Sequence, residues 1–564
     1  MPKTIFTSID DNVKFENQTF TEFIDERNIT INGSISFYKC KFLNHVIFER
    51  ITAVEFTFYD CSFDSNLYIG KSNLHSLSFF NCFCVNEIKI FENQSSGLSF
   101  RKTDAKIVEI DGNYRSSQFV DSKVDKVTFW DINTDLKQSK LSFLAGNIIK
   151  DLRLNCSSCQ SEILFASGIY NSTIFEGNYR KQLTFKGDFE IENLHFENAE
   201  FYTRIDFEEG HFGYVSFHRS VFHGLIYFND SHILEPSSRD LKIRDLSLHS
   251  SNFDKNVSVQ IIQLGTVNIS NCTFHEVLNI DNQLTEKGTA PLVIQMDGVN
   301  QGTIIFERTF ADITISGINT GNITFKELFI SHLYINEYQN FGVLSFSKVK
   351  DGEYIIIQDS ITGKMNFISA DINVFKEIII SDSNIDGSDF NIYPKKIRSK
   401  SKSVIAGYGI DNRSARIRNL KNVYNQLKRI AKAKGDIDVA NQFESLEHKQ
   451  LLLSKKISFD TFLLLLNFIS NNNGKSWVRG VIFTLLVAAV FFYLYTINIG
   501  NGNFTIESYK EYVLFISSFP KLELKKYEIQ NEYWNIQLII WLARIFISYG
   551  IYQTIAAFRK YGRN

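Results

Sequence analysis

The sequence predicts a mainly β protein, a stack of four-sided parallel β-coils, followed by an α-helical membrane domain with two transmembrane helices. Three observations carry this. A short phrase returns every 21 residues, its apolar residues come in pairs separated by one position, and two long apolar runs stand near the C-terminus. The phrase first reads Ile35-Ser36-Phe37-Tyr38-Lys39-Cys40-Lys41-Phe42. It returns as Phe56-Thr57-Phe58-Tyr59-Asp60-Cys61-Ser62-Phe63 and as Leu77-Ser78-Phe79-Phe80-Asn81-Cys82-Phe83-Cys84, then more weakly at Leu98-Ser99-Phe100. A fixed period in this range marks a stack of like units.

The pairs within one period are Ile35/Phe37, Cys40/Phe42, Val46/Phe48 and Ile51/Ala53, before Phe56/Phe58 opens the next. Residues two apart on an extended backbone point to the same side. Each pair is therefore a very short strand facing inward, and four such sides close one coil. The same steps recur at Leu194/Phe196, Ala199/Phe201, Ile205/Phe207, Gly210/Phe212 and Val215/Phe217. Val215 and Leu246 are 31 residues apart, one coil plus ten, and the surplus includes the loop-like Glu235-Pro236-Ser237-Ser238. Further steps run through Ile313, Ile318, Ile323, Leu328 and Leu333. The expected core is lined by Phe37, Cys40, Phe42, Phe58, Cys61, Phe63, Phe79, Cys82, Phe196, Phe201, Phe207 and Phe217.

Composition agrees. The 564 residues exceed one compact globule but suit a solenoid with a second domain. The 52 Phe fit a stacked interior, and only 5 Pro fit an unbroken backbone ladder, to which proline cannot donate. The net charge of −2 hides a split: residues 395–564 carry 26 Lys and Arg against 11 Asp and Glu, leaving −17 on residues 1–394. Cys40, Cys61, Cys82 and Cys272 occupy the small slot of a pair and read as packed thiols. Cys156-Ser-Ser-Cys159 lacks a second CxxC or a matching His pair and reads as coil structure rather than half a zinc site. Met1-Pro2-Lys3-Thr4 opens no apolar export run, so a reducing cytoplasm is expected around the coils.

The paired pattern resembles the pentapeptide-repeat family over about residues 15–392. That resemblance implies a right-handed quadrilateral β-helix with Phe or Leu at the central inward position and a small residue two before it. The departure is the extra residue in most coils, and a three-sided β-helix is the alternative.

Taken in order, residues 1–30 are expected to cap the open end of the stack, which otherwise presents unpaired edge groups. Residues 31–394 form the coils, with the register blurred over 111–150 and an insertion near 281–302. Residues 395–413 are a basic linker: between 395 and 434 there are 13 Lys and Arg and one acid, Asp411. With apolar spans downstream, anionic lipid is a better partner for it than nucleic acid. Residues 414–470 read as a helical hairpin and a juxtamembrane helix, the last too short to span. The set Tyr424, Leu427, Lys428, Gly435, Asp436, Ala440, Phe443 and Glu447 is similar to a helical segment of bacterial pentapeptide-repeat proteins with an ion-channel-like C-terminus. That resemblance implies a coupling role for the set.

Residues 471–564 form the membrane domain. Trp477 to Ile499 and Trp534 to Phe558 each approach the roughly 20 apolar residues that a bilayer requires. Lys475 and Arg479 precede the first; Arg559, Lys560 and Arg563 follow the second. The positive-inside rule then puts both ends in the cytoplasm, and the bacterial resemblance makes the membrane the inner one. Between the spans, Phe504 to Leu522 is a short apolar helix that either dips into the membrane or lies on its outer surface. No Thr-x-Gly-Tyr-Gly filter is present, which argues against a potassium channel, but Ser517, Ser518, Phe519 and Pro520 stand where a constriction would form. Arg544, a charge inside a span, either snorkels to the outer interface or faces water or a second subunit.

There is no Walker loop, His-Glu-x-x-His or Gly-x-Ser-x-Gly elbow, and no catalytic, cofactor or metal set. His211, His218 and His223 are close in sequence but fall on different coil faces. The expected function is a β-helix sensor or binding rod controlling an oligomeric pore, because a two-span subunit cannot line a pore alone. The expected partners are lipid, further copies of the chain, and a protein on the rod. The alternative is a membrane-tethered scaffold whose rod binds a protein. A phage-defence role suits such a layout, although no residue carries it.

Overall fold

A computed structural model describes residues 5–6, 12–130, 139–229, 241–261, 263–281, 291–350, 352–399, 413–454, 458–474, 476–498, 506–517 and 534–561. The chain divides into two units. The first is Met1–Ile356, Gly363–Glu377 and Asp389–Lys395; the second is Ile357–Thr362, Ile378–Ser388 and Lys396–Asn564.

The first unit is a parallel β-solenoid. Its register reproduces the sequence period: Ser34 pairs with Glu55, Asn73 with Thr52 and with Gln94, all 21 residues apart. The coil length then drifts, to 19 where Gly97 pairs with Ser116 and to 24 where Ser116 pairs with Lys140, in the stretch read as blurred. Val215 pairs with Leu246, so the ten surplus residues leave the ladder intact.

Two corners of each coil turn on left-handed residues, while the extra residue falls at a third, residues 43–45 and 64–66, none of which has a positive φ. Lys39, Asp60, Asn81 and Lys102 adopt φ of 50–53°, and so do Arg50 and Lys71 at another corner, with φ of 58 and 52°. A single left-handed residue turns the chain sharply between two short strands. Beside one such corner the Cys61 thiol donates to the Tyr59 carbonyl at 3.2 Å.

The inward pairs stack into ladders. One runs through Phe15, Phe37, Phe58, Phe79, Phe100, Phe119, Phe143, Phe165, Phe185, Phe207 and Phe228, with ring centroids 4.2–5.5 Å apart and planes nearly parallel. The 4.8 Å spacing of parallel strands imposes this separation. Phe42, Phe63, Phe196, Phe201 and Phe217 belong to companion ladders, and Cys40 and Cys82 are buried beside them. Cys156 and Cys159 are also fully buried.

Two readings change. Residues 12–27, inside the stretch read as a cap, already form a coil: Asn12–Glu16, Thr19–Phe20 and Ile24–Arg27 pair in parallel with the next turn. The buried Glu26 carboxyl accepts from Ile5 and Phe6 N–H groups at this end, and burial pushes its pKa up. Ile318 is not inward; Asn319 is, because the asparagines at 319 and 340 form their own ladder, Asn319 Nδ2 donating to Asn340 Oδ1 at 2.8 Å.

Among the described residues the second unit contributes the helices α1 (Arg413–Ala433), α2 (Ile437–Ser454), α3 (Phe459–Asn471), α4 (Trp477–Asn498), α5 (Ile506–Ser517) and α6 (Trp534–Tyr561). Gly435, with φ of 82°, closes the α1–α2 turn. Ser458 caps α3, accepting from Thr461 N. Helices α4 and α6 are long and apolar enough to cross a membrane.

Candidate functional site

The described contacts of the second unit form a chain of polar links running from its coil segments through the hairpin to α6. At the first step, α1 meets the coil turn 382–386. Gln426 closes a double bond with the backbone, Oε1 accepting from Ile385 N at 2.6 Å and Nε2 donating to the Ser383 carbonyl at 3.0 Å. Asn419 Nδ2 donates to Asp382 at 3.1 Å, and Arg429 pairs with Asp386 at 2.7 Å.

At the second step α1 packs on α2. Leu427 and Ala440 are fully buried, the Tyr424 and Phe443 rings lie nearly parallel, and Lys428 meets Glu447 at 2.6 Å in a largely buried pair. These residues of the sequence-derived set thus share one interface, and Gly435 and Asp436 form its turn. Their spacing on two antiparallel helices explains the meeting: residues three, four and seven apart share a helix face.

The third step links α2 to the turn Asn472–Gly474. Ser445 Oγ donates to the Asn472 carbonyl, 3.0 Å, and Asn473 Nδ2 donates back to the Ser445 carbonyl, 3.4 Å. At the fourth, buried Asn471 donates to Gln553 Oε1 on α6 at 2.6 Å, while Tyr549 donates to Asn467 at 3.2 Å. The sequence reading missed Gln426, Asn419, Ser445, Asn471 and Gln553. The available signals were the run Asn471-Asn472-Asn473-Gly474 beside an apolar helix and an amide inside an apolar span.

The membrane-candidate helices are inverted relative to a soluble bundle. On α4 the buried residues are Gly480, Thr484, Ala488 and Phe492, one every four positions. They face Ala543, Ile547, Gly550 and Thr554 of α6: a Cβ on Gly480 would stand 3.0 Å from the Thr554 Cα, and one on Gly550 would stand 3.3 Å from the Thr484 Cα. Outward stand Leu486, Val490, Trp541 and Phe558. Small residues inside and large apolar ones outside is the arrangement of helices packed within lipid. Helix α3 is similar, burying Ser470 and Asn471 while Phe459 is 74% exposed. Helix α5 lies against α4 residues, with Phe515 among Ala488, Phe492, Ala543 and Ile547, and Tyr512 donating to the Leu485 carbonyl at 2.6 Å.

Ser517 is the last residue of α5, and Ser518, Phe519 and Pro520 lie outside the described residues. Arg544 sits on α6, half-buried, one residue from the buried Ala543, and makes no ion pair or hydrogen bond with another described side chain.

On the solenoid, His211, His218 and His223 do not converge. His218 stacks on His249, and His223 lies between Glu200, 3.0 Å, and Asp254, 2.6 Å. No metal-holding group occurs among the described residues. The bond to Glu200, then that to Asp254, raises the His223 pKa above 6.5. Its stabilisation is therefore full below about pH 6.5 and fades as pH rises through the higher folded value. His223→Gln is expected to lower the melting temperature at pH 5.5 and to leave it unchanged at pH 9. The loss is capped near 1 kcal/mol because the pair is partly screened. An equal loss at both pH values would refute the linkage.

Fold and site together define a class: a parallel β-solenoid whose chain continues into a helical unit with two helices long and apolar enough to cross a bilayer. No family model, curated protein or solved structure matches the chain.

Proposed function

We propose that the protein is a membrane-anchored β-helix of the pentapeptide-repeat kind whose rod controls a pore built from several copies of its two-span domain. The rod and both termini face the cytoplasm, and the membrane is the bacterial inner membrane. The observation that carries this reading is the continuous polar linkage from the coil turn 382–386, through Lys428–Glu447 and Ser445, to Asn471–Gln553. A mere anchor needs no such linkage, since apolar length alone holds a span in lipid. Two further features support it. Helix α5 packs on span residues, as the middle element of a two-span pore does. Arg544 is a cation in an apolar helix without a described partner, and such charges face water or a neighbouring subunit.

The test is dye and ion efflux from liposomes holding the purified full chain. Release should rise more steeply than linearly with protein per vesicle, because one subunit cannot enclose a path. Gln553→Leu should reduce release about three- to tenfold, the scale of one hydrogen bond between helices in a membrane, with the fold retained. If well-folded protein releases nothing, the anchor-and-platform reading takes its place.

A further inference from the structure

The coil segments of the second unit and α1 enclose a cleft that the linkage does not fill. It measures 540 Å³ and is lined by Asp359, Asp382, Asp386, Asn419, Asn422 and Gln426, with Arg429 at its side. That volume falls in the range of small-molecule sites.

Its chemistry is one-sided. Three carboxylates line it against one guanidinium, and Arg429 is committed to Asp386 at 2.7 Å. Acidic side chains alone define no site. The second observation is Asn419. It is 3% exposed, and its amide nitrogen is held by Asp382 at 3.1 Å, so its orientation is set. Its Oδ1 is left buried with no hydrogen-bond partner among the described residues. A buried acceptor without a donor costs about 1–3 kcal/mol, and native proteins rarely leave one so. A donor supplied from the cleft would relieve it. Gln426 does not supply one: its Nε2 donates to the Ser383 carbonyl and its Oε1 faces Ile385 N.

A ligand complementary to this cleft brings N–H donors and positive charge. An anion would meet carboxylates. A bare divalent cation lacks its ligand set, since no three metal-type side chains converge among the described residues. We infer that the cleft between the coil turns at 359–361 and 382–386 and α1 binds a small organic cation, an alkylamine or guanidine, with one N–H on Asn419 Oδ1 and its charge against Asp382. Such a ligand bridges coil and helix at the first step of the linkage. Its action as a trigger rests on the pore reading; its binding does not.

The experiment is calorimetric titration of the full chain in detergent with spermidine and with agmatine. Citrate, magnesium chloride and a tetralysine peptide are the comparison arms. Saturable binding of spermidine or agmatine, weakened at least tenfold by Asp382→Asn and by Asn419→Leu, is expected. Thermal melting establishes that each variant is folded, and Asp382→Asn, which keeps shape and removes only charge, serves if Asn419→Leu is not. No saturable binding of either amine overturns the inference. So does binding unchanged in Asp382→Asn, or preference for citrate, magnesium or tetralysine. If the amine binds but leaves efflux unchanged, the site stands and the coupling reading fails; if it does not bind while efflux persists, the reverse holds.

Discussion

Phe58→Ala is expected to cost the solenoid about 3–5 kcal/mol, the range for truncating a fully buried phenylalanine. Phe58 is fully buried, and its ring is stacked on Phe37 at 5.1 Å and on Phe79 at 5.2 Å. Removing it leaves a cavity and breaks one ladder at two contacts. The neighbours cannot collapse into the space, because their backbones are tied to the strand spacing above and below. In a solenoid each coil contacts only its neighbours, so the loss is local and opens the stack there first. Hydrogen exchange read along the chain should show protection falling most around residues 35–80. Phe83→Ala supplies the comparison. Phe83 lies in the next repeat but is 52% exposed, and its loss should stay within about 0.5 kcal/mol. Equal effects from the two changes would mean that the inward pairing is wrong.

Gly550→Leu is expected to separate α4 from α6 and, under the proposed pore, to end efflux. A β-carbon at 550 would stand 3.2 Å from the Thr484 Cβ and 3.3 Å from the Thr484 Cα, and would press on its Oγ1, so the β-carbon alone already forces Thr484 to give way. Leucine adds three more carbons to that contact. Overpacking of this kind costs about 1–3 kcal/mol in a soluble core. Here the loss reaches further, because helices in lipid gain nothing from hiding apolar area from one another and depend on close packing. Separation also removes the pocket that receives Phe515, formed by Ala488, Phe492, Ala543 and Ile547. Efflux should fall to the level of empty liposomes, and the detergent-solubilised protein should melt at lower temperature. Leu486→Ala, on the outward side of α4, should change neither. Full efflux from Gly550→Leu would exclude the α4–α6 contact from the working state.

The coils and the two long apolar helices were legible in the residues because each depends on a local pattern. Two residues separated by one position point the same way wherever the chain is extended, so Ile35/Phe37 and Cys40/Phe42 declare their inward side. The period of 21 then declares the stack. Apolar length likewise declares Trp477–Asn498 and Trp534–Arg559 long and apolar enough to cross a membrane. The Tyr424-to-Glu447 set was singled out by its resemblance to a known helical segment, and its helical members meet across one hairpin.

What the residues alone did not settle involves partners distant in sequence or exceptions to the alternation. Asn471 and Gln553 are 82 residues apart, and nothing in either local pattern selects the other. Gln426 looks like a solvated helical amide until the coil turn at 383–385 meets both of its ends. Asn319 takes the inward place expected of Ile318 because a ladder with Asn340 satisfies its amide. The period by itself determined that this chain is a β-solenoid with a twice-apolar tail, since repetition and apolar length need no long-range knowledge. Only the tertiary structure decided which polar groups connect coil turn, hairpin and α6, because hydrogen bonds between distant residues exist only once packing brings them within about 3 Å.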